Sequence, residues 1–194
     1  MILEGLVTTL DADGGLHVAA MGPAIDDDQR AAGRIERLVL RPFATSRTAA
    51  NLARHPEGVF HVTDDVLLLA RVVAGRLDRP PEARPAEAIR GHVLAAACRA
   101  WEFRIAAADL AEARERLEAR VAKEHDLRPF LGFNRAAHAV VEAAILVTRL
   151  HLTGVATVLR QLDELRPLVD KTGGPREREA FEILRAVTEG HGGG

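Results

Sequence analysis

The chain has 194 residues, 47% hydrophobic and 28% charged, the balance of a globular protein with one substantial core or a core and a smaller appendage. A formal net charge of −2 leaves no overall electrostatic footprint for nucleic acid or an anionic membrane. One cysteine, Cys98, excludes an intrachain disulfide framework and a cysteine-rich zinc site.

The first half reads as strands and turns. Ile2–Leu10 and Leu16–Met21 flank the turn signal Asp11-Ala-Asp-Gly-Gly15 and predict a β-hairpin. Asp26–Gly33 is polar and reads as a surface loop, Ile35–Leu40 as a short strand, and Thr45–His55 as a helix ended by Pro56. Val59–Val62 is β-branched and aromatic, a strand. Asp64 or Asp65 can cap a helix over Val66–Val73, apolar on nearly every side and therefore buried. Gly75–Pro85, with three prolines, reads as a loop. Val93–Ala107 is consistent with one long or bent strand. Over Leu110–His125 two signals conflict. The Ala, Glu and Arg content favours a helix, whereas Leu117, Ala119 and Val121 alternate with charges as in a half-buried strand; propensity leans towards helix. Asn134–Leu152 is a long helix with Asn134 as N-cap, and Val155–Val169 is amphipathic. Pro175 opens a third helix after the Thr172-Gly-Gly174 break, running to about Thr188, with Gly190–Gly194 disordered. The chain is thus α+β: mainly β to residue 127, helical over 128–189, with a tail at 190–194.

Between the strand ending at Leu40 and the helix that follows stand Arg41, Thr45, Ser46, Arg47, Thr48 and Asn51. Hydroxyls, an amide and positive charge at a helix start suit a phosphate. The same residues also read as an ordinary helix start in which Thr45 or Ser46 is an N-cap. Arg41, which closes the strand, is the better arginine for an anion, and Arg47 faces solvent.

On the helix from Asn134 the apolar residues leave little room for a solvated face. Arg135, Glu142 and Arg149 repeat every seven residues, and His138 lies one turn from Arg135. On a mostly buried helix such a stripe must form an ion-pair network at an interface or line a pocket. The histidines lack the close pairing of a metal site, no phosphate-loop or nucleophile-elbow motif is present, and Cys98 reads as an inert buried thiol. Met1-Ile-Leu-Glu-Gly5 has neither the basic nor the long apolar region of a signal peptide, and Glu142 and Arg149 interrupt the most apolar stretch. A cytoplasmic protein that binds neither membrane nor nucleic acid is expected.

Three separated motifs, Arg41-Pro-Phe-Ala-Thr-Ser-Arg-Thr-Ala-Ala-Asn-Leu52, Gly58-Val-Phe-His-Val-Thr-Asp-Asp-Val66 and Gly132-Phe-Asn-Arg-Ala-Ala-His-Ala-Val-Val-Glu-Ala143, give the chain its resemblance to a family. It resembles archaeal and bacterial proteins of unassigned function with an FMN-binding split β-barrel and a helical C-terminal extension. The resemblance implies a Greek-key-like barrel over 1–127, a homodimer, and FMN near the subunit interface, and it turns Leu110–His125 towards strands. It implies that Arg41, Thr45, Ser46, Thr48 and Asn51 hold the FMN phosphate. His61, Val62, Thr63 and Asp64 would then border the isoalloxazine or ribityl part, with Met21 beside the ring; for His61 and Asp64, barrel wall and helix cap are the competing roles. The broader relatives include flavin reductases and pyridoxamine-phosphate oxidases, but no nicotinamide or pyridoxal signature stands out here. The expected activity is a flavin-dependent oxidoreductase acting on a small molecule. A non-enzymatic flavin carrier or sensor, and a barrel holding a deazaflavin or pterin-type cofactor, are the alternatives.

Overall fold

A computed structural model describes residues 1–191. In chain order the elements are β1 (Leu6–Leu10), β2 (Leu16–Ala20), α1 (Asp27–Ala32), β3 (Arg37–Leu40), α2 (Arg47–Arg54), β4 (Glu57–Val62), α3 (Val66–Val73), β5 (Ala83–Pro85), β6 (His92–Leu94), β7 (Arg99–Asp109), β8 (Arg116–Asp126), α4 (Arg135–Thr148), α5 (Leu150–Thr153), α6 (Val155–Thr172) and α7 (Pro175–Gly190). They make a mixed α+β chain of two compact units. One comprises Met1–Thr63 and Pro80–Pro129, the other Asp64–Arg79 and the chain from Phe130 onward.

The first unit is built on a six-stranded antiparallel sheet in the order β2-β1-β4-β7-β8-β3. The β1–β2 hairpin closes as its turn residues dictate. Gly14 takes φ +84°, where a Cβ is costly, and its N–H donates to Asp11 O at 2.9 Å. At Gly58 in β4 a Cβ would lie 2.7 Å from the Phe103 ring and 2.9 Å from Thr8 O, so glycine is what lets β4 approach its neighbours. Val7, Leu38, Leu40, Leu52, Phe60, Trp101, Phe103 and Leu117 form the core, with Phe60 and Trp101 stacked at 5.8 Å. Four residues beyond β2, Ala24 exchanges two backbone hydrogen bonds of 2.9 Å with Val39 of β3, which joins chain from both outer strands of the sheet.

Several expectations for this unit are corrected. Asp26–Gly33 contains α1, because Gln29 is buried and its side chain accepts from Glu36 and Arg37 N–H, each at 2.7 Å. Residues 93–107 are two strands, β6 and β7, separated by a turn at Ala95–Ala96 that leads to buried Cys98, and Ala83–Pro85 pairs with β6 within the expected loop. Arg116–Asp126 is the strand β8 against its helical propensity, since Leu117 and Ala119 bury alternately while both strand edges are hydrogen-bonded, to β7 and β3.

In the second unit α3, capped by Asp65 Oδ1 on Leu68 N–H at 3.0 Å, packs against α4 and α7. Its buried Val66, Leu67, Leu69 and Ala70 explain why Asp64–Arg79 belongs here and not with residues 1–127. Asn134 caps α4 through Ala137 N–H at 3.0 Å. α4 stops at Thr148, four residues short of the expected Leu152, and the short α5 follows. Pro175 opens α7 as its chemistry favours, and Val158, Leu162, Val169, Ala180, Phe181 and Leu184 are buried along α6 and α7. α7 extends to Gly190, into the tail expected to be disordered; residues 192–194 of that tail lie outside the described residues. No helix among the described residues is long and apolar enough to cross a membrane.

Candidate functional site

The segment leaving β3 is fastened before it turns into α2. Pro42 O accepts from Glu115 N–H at 3.0 Å, and Ala44 N–H donates to Ala113 O at 3.0 Å. Ser46 Oγ accepts from Ala49 N–H at 3.1 Å, making Ser46 the N-cap. The N–H groups of Arg47 and Thr48 occupy the first turn, where no intrahelical acceptor exists. Arg41 and Thr45 are exposed at this turn. Among the described residues the Arg41 guanidinium has no hydrogen-bond or ion-pair partner. The turn therefore presents an uncommitted cation, a hydroxyl and outward amides together.

Two other polar residues of this segment, Thr48 and Asn51, are buried. Thr48 is buried with Oγ1 3.3 Å from His17 Nε2. Asn51 Nδ2 donates to Thr9 Oγ1 at 3.0 Å and Asp11 Oδ1 at 3.1 Å, while its Oδ1 accepts from Arg54 at 2.7 Å. Arg47 is exposed, as expected, and donates to Asp11 through Nε at 2.7 Å and through Nη2. These bonds tie α2 to the β1–β2 hairpin. Burial pushes the Asp11 carboxyl up, but hydrogen bonds from Arg47 and Asn51 and the arginine charge outweigh it and hold Asp11 below its ordinary value. Burial, then the Arg47 charge, lowers His17.

Among the residues expected around a flat ring, Met21 is half-buried and packs on the sheet core. His61 is fully buried with both ring nitrogens engaged. Leu94 N–H donates to Nε2 at 3.0 Å, so Nδ1 carries the hydrogen and donates to Leu6 O at 3.3 Å. Burial pushes its pKa down to about 4, and its side chain is a neutral part of the wall. Val62 is half-buried, Thr63 donates to Ala96 O at 3.0 Å, and Asp64 falls in the second unit, where its O accepts from Val66 N–H at 3.0 Å.

A further polar cluster has little signal in the sequence beyond a lone carboxylate in an apolar strand. Glu102 is fully buried and accepts from Glu87, Ala88 and Ile89 N–H at 2.7, 2.6 and 3.1 Å. His125 Nε2 lies 2.6 Å from Glu102 Oε1, and Arg84 donates to Nδ1 at 3.2 Å. Because Nδ1 must accept, Nε2 donates to the carboxylate. Burial raises Glu102, and the amides and His125 more than reverse it. With His125 itself nearly sealed, the cluster locks the Glu87–Ile89 loop onto β7. No group of ligands suited to a metal occurs among the described residues.

Arg135, His138 and Glu142 on α4 and Arg149 at its C-cap are exposed, contrary to the mostly buried helix expected, because Ala136, Ala139, Val140, Ala143, Ala144 and Val147 take the buried positions. The first three line a cleft of about 200 Å³ together with Phe133, Ala139, Leu165 and Leu168.

Comparison with known proteins gives this geometry a context. The chain is similar to the crystal structure of an FMN-bound protein from Methanosarcina mazei, with 22% identity, TM-score 0.79, and coverage of 96% of this chain and 94% of that one. It is also similar to the styrene monooxygenase flavin reductase of Pseudomonas putida S12, at 12% identity, TM-score 0.53, and coverage of 64% and 81%. An FMN-binding protein from Thermus thermophilus with bound 1-cyclohex-2-enone matches at 8% identity and TM-score 0.50, covering 64% and 70%. These likenesses are of fold. No curated protein matches the chain. Residues 3–128 match the family "Protein of unknown function (DUF447) N-terminal domain" and residues 134–186 match "Protein of unknown function (DUF447)", and across both segments the chain belongs to the DUF447 family.

Proposed function

We propose that the chain is an FMN-binding split-barrel protein that works as a homodimer, with flavin-dependent oxidoreduction of a small molecule as its activity. The observation that carries this reading is the uncommitted Arg41 beside the Ser46-capped start of α2, in a chain that shares family and fold with an FMN-bound protein. The all-antiparallel sheet and the Ala24–Val39 bridge between its outer segments are what a split barrel requires.

A phosphate monoester needs charge and several donors in one place. Arg41, the Thr45 hydroxyl and the first-turn amides of α2 meet that need. Thr48 and Asn51 hold α2 in position instead of touching phosphate, since their polar atoms are committed to His17, Thr9 and Asp11. For the ring we assign half-buried Met21, whose polarisable sulfur suits an aromatic face, and the strand end at Val62–Thr63; His61 contributes only the rigid wall behind it. Bound FMN would supply the electron transfer, and the protein its position and surroundings. The second reading, a flavin carrier or sensor, is favoured by the way Asp11 and Arg47 are committed to each other and His17 to Thr48, which leaves no free acid or base among them.

The test is an FMN titration of the wild type and of Arg41→Ala, with a deazaflavin and a pterin in parallel. Losing one charge-assisted contact, about 1.5–3 kcal/mol, weakens FMN binding by roughly 10- to 100-fold, while stability holds because Arg41 is exposed and unpaired. Unchanged affinity would put the phosphate elsewhere, and a wild type indifferent to FMN would refute the cofactor. Anaerobic bleaching by NADH or NADPH supports the enzyme; a flavin that neither reduces favours the carrier.

A further inference from the structure

The loop that joins β7 to β8 brings a further arginine to the start of α2. Ala44 N–H donates to Ala113 O and Glu115 N–H to Pro42 O, each at 3.0 Å, and these two bonds bracket Phe43 and Arg114 as a bridged pair. A pair of this non-hydrogen-bonded kind is the one whose side chains stand closest, and Arg114 Cζ lies 4.1 Å from the centroid of the Phe43 ring. Leu40 pairs with Leu117, so one register runs on from β3 to Phe43 and sets Arg41 opposite Arg116. Pro42, without an N–H, only removes a rung. Side chains alternate across a strand: Leu40, Pro42 and Leu117 are buried, while Arg41, Phe43, Arg114 and Arg116 share the exposed face. Arg41 and Arg114 are thus diagonal neighbours, roughly 7–8 Å apart at the backbone and within reach of each other's long side chains. Ser46 N–H donates to Phe43 O at 2.8 Å, which ties this face to the capped turn of α2.

Arg116 is bonded to Glu118, and Arg47 to Asp11. Arg114, like Arg41, has no hydrogen-bond or ion-pair partner among the described residues, and Glu115 alternates to the other side of the ladder. Two unanswered guanidinium groups side by side repel each other, and an anion held between them removes that repulsion. Stacking on Phe43 steadies the Arg114 guanidinium while its in-plane N–H groups stay free to donate. We propose that Arg114 is the second arginine of the flavin phosphate site. Together Arg41 and Arg114 select a terminal phosphate monoester, which carries about two negative charges at neutral pH, over a flavin without phosphate or one whose phosphates are diesters. The assignment rests on the flavin reading and adds to it a residue from a distant hairpin, outside the hydroxyl-rich segment.

Fluorescence titrations with FMN, riboflavin and FAD test the assignment. The wild type binds FMN more tightly than either of the others. Arg114→Ala weakens FMN by roughly 10- to 100-fold and leaves the riboflavin Kd and the melting temperature in place, which a merely structural loss would not. Phe43→Leu removes the ring beneath the guanidinium and weakens FMN by about two- to fivefold. With Arg41→Ala and Arg114→Ala combined, FMN binds no better than riboflavin. Arg120→Ala removes another exposed, unpaired arginine of β8, opposite Arg37, and leaves every Kd unchanged. An unchanged FMN Kd in Arg114→Ala, a riboflavin Kd that rises in parallel, or an Arg120→Ala variant that loses as much would each overturn the assignment while the cofactor reading stands. FAD that binds more tightly than FMN and is weakened by Phe43→Leu overturns it too, since the ring would then carry adenine. A wild type that binds no flavin overturns both.

Discussion

Replacing Glu102 by glutamine tests the buried carboxylate with almost no change of shape. Glu102 Oε1 takes Glu87 N–H and His125 Nε2, and Oε2 takes Ala88 and Ile89 N–H. A glutamine has one carbonyl oxygen, so in either orientation its amide NH₂ faces two donors. An orphaned buried donor costs about 1–3 kcal/mol, so two give a loss of about 2–6 kcal/mol. His125 cannot relieve this by changing tautomer, because Arg84 already donates to its other nitrogen. The assay is urea unfolding followed by fluorescence of Trp101, the one tryptophan and a buried neighbour of Glu102 in β7. The pH dependence supplies the sign. Interactions depress the folded pKa of Glu102 below 4.5, so its contribution is complete above that value and lost as pH falls through the depressed folded pKa. The gap between wild type and variant should therefore hold at neutral pH and narrow in acid. A loss below about 1 kcal/mol at pH 7, or a gap that widens in acid, would refute the reasoning.

His61 has the opposite charge logic but the same direction of effect. Its pKa falls from 6.5 to about 4 on burial, so between those values the unfolded chain binds the extra proton. Stability drops by about 3 kcal/mol as pH is lowered from 6.5 towards 4, and a His61→Gln variant, less stable at neutral pH, shows a flatter profile across that window in the same fluorescence assay. Asn134→Ala removes the cap on Ala137 N–H and the 3.1 Å bond to Thr172 O. It costs about 1 kcal/mol and raises amide exchange in the first turn of α4, while Trp101, in the other unit, reports no change.

Elements defined by neighbouring residues were legible in the chain itself. Asp11–Gly15 makes its turn through bonds spanning four residues, Asp65 and Asn134 cap helices three residues on, and Pro175 starts α7. The same short-range chemistry singled out Ser46 and the turn after Arg41. β8 was misjudged by propensity because Leu117 and Ala119 acquire their meaning only when β7 and β3 flank them. Gln29 was read as loop because the amides that bury its side chain lie seven and eight residues away. Thr48, Asn51 and His61 looked equally available for a ligand, yet their partners Thr9, Asp11, His17 and Leu94 come from distant strands and the turn after β1. Glu102 and His125, on adjacent strands, were not singled out at all.

By itself, then, the amino-acid sequence determined where this protein turns, caps and starts its helices, and which short segment carries a hydroxyl-rich helix start behind an arginine. Only the tertiary structure decided which polar side chains remain free to meet a ligand. Each buried donor and acceptor must be satisfied, and the partner that satisfies it is chosen by strand pairing across distant stretches of chain. Arg41 stays available for the same reason that Asn51 does not.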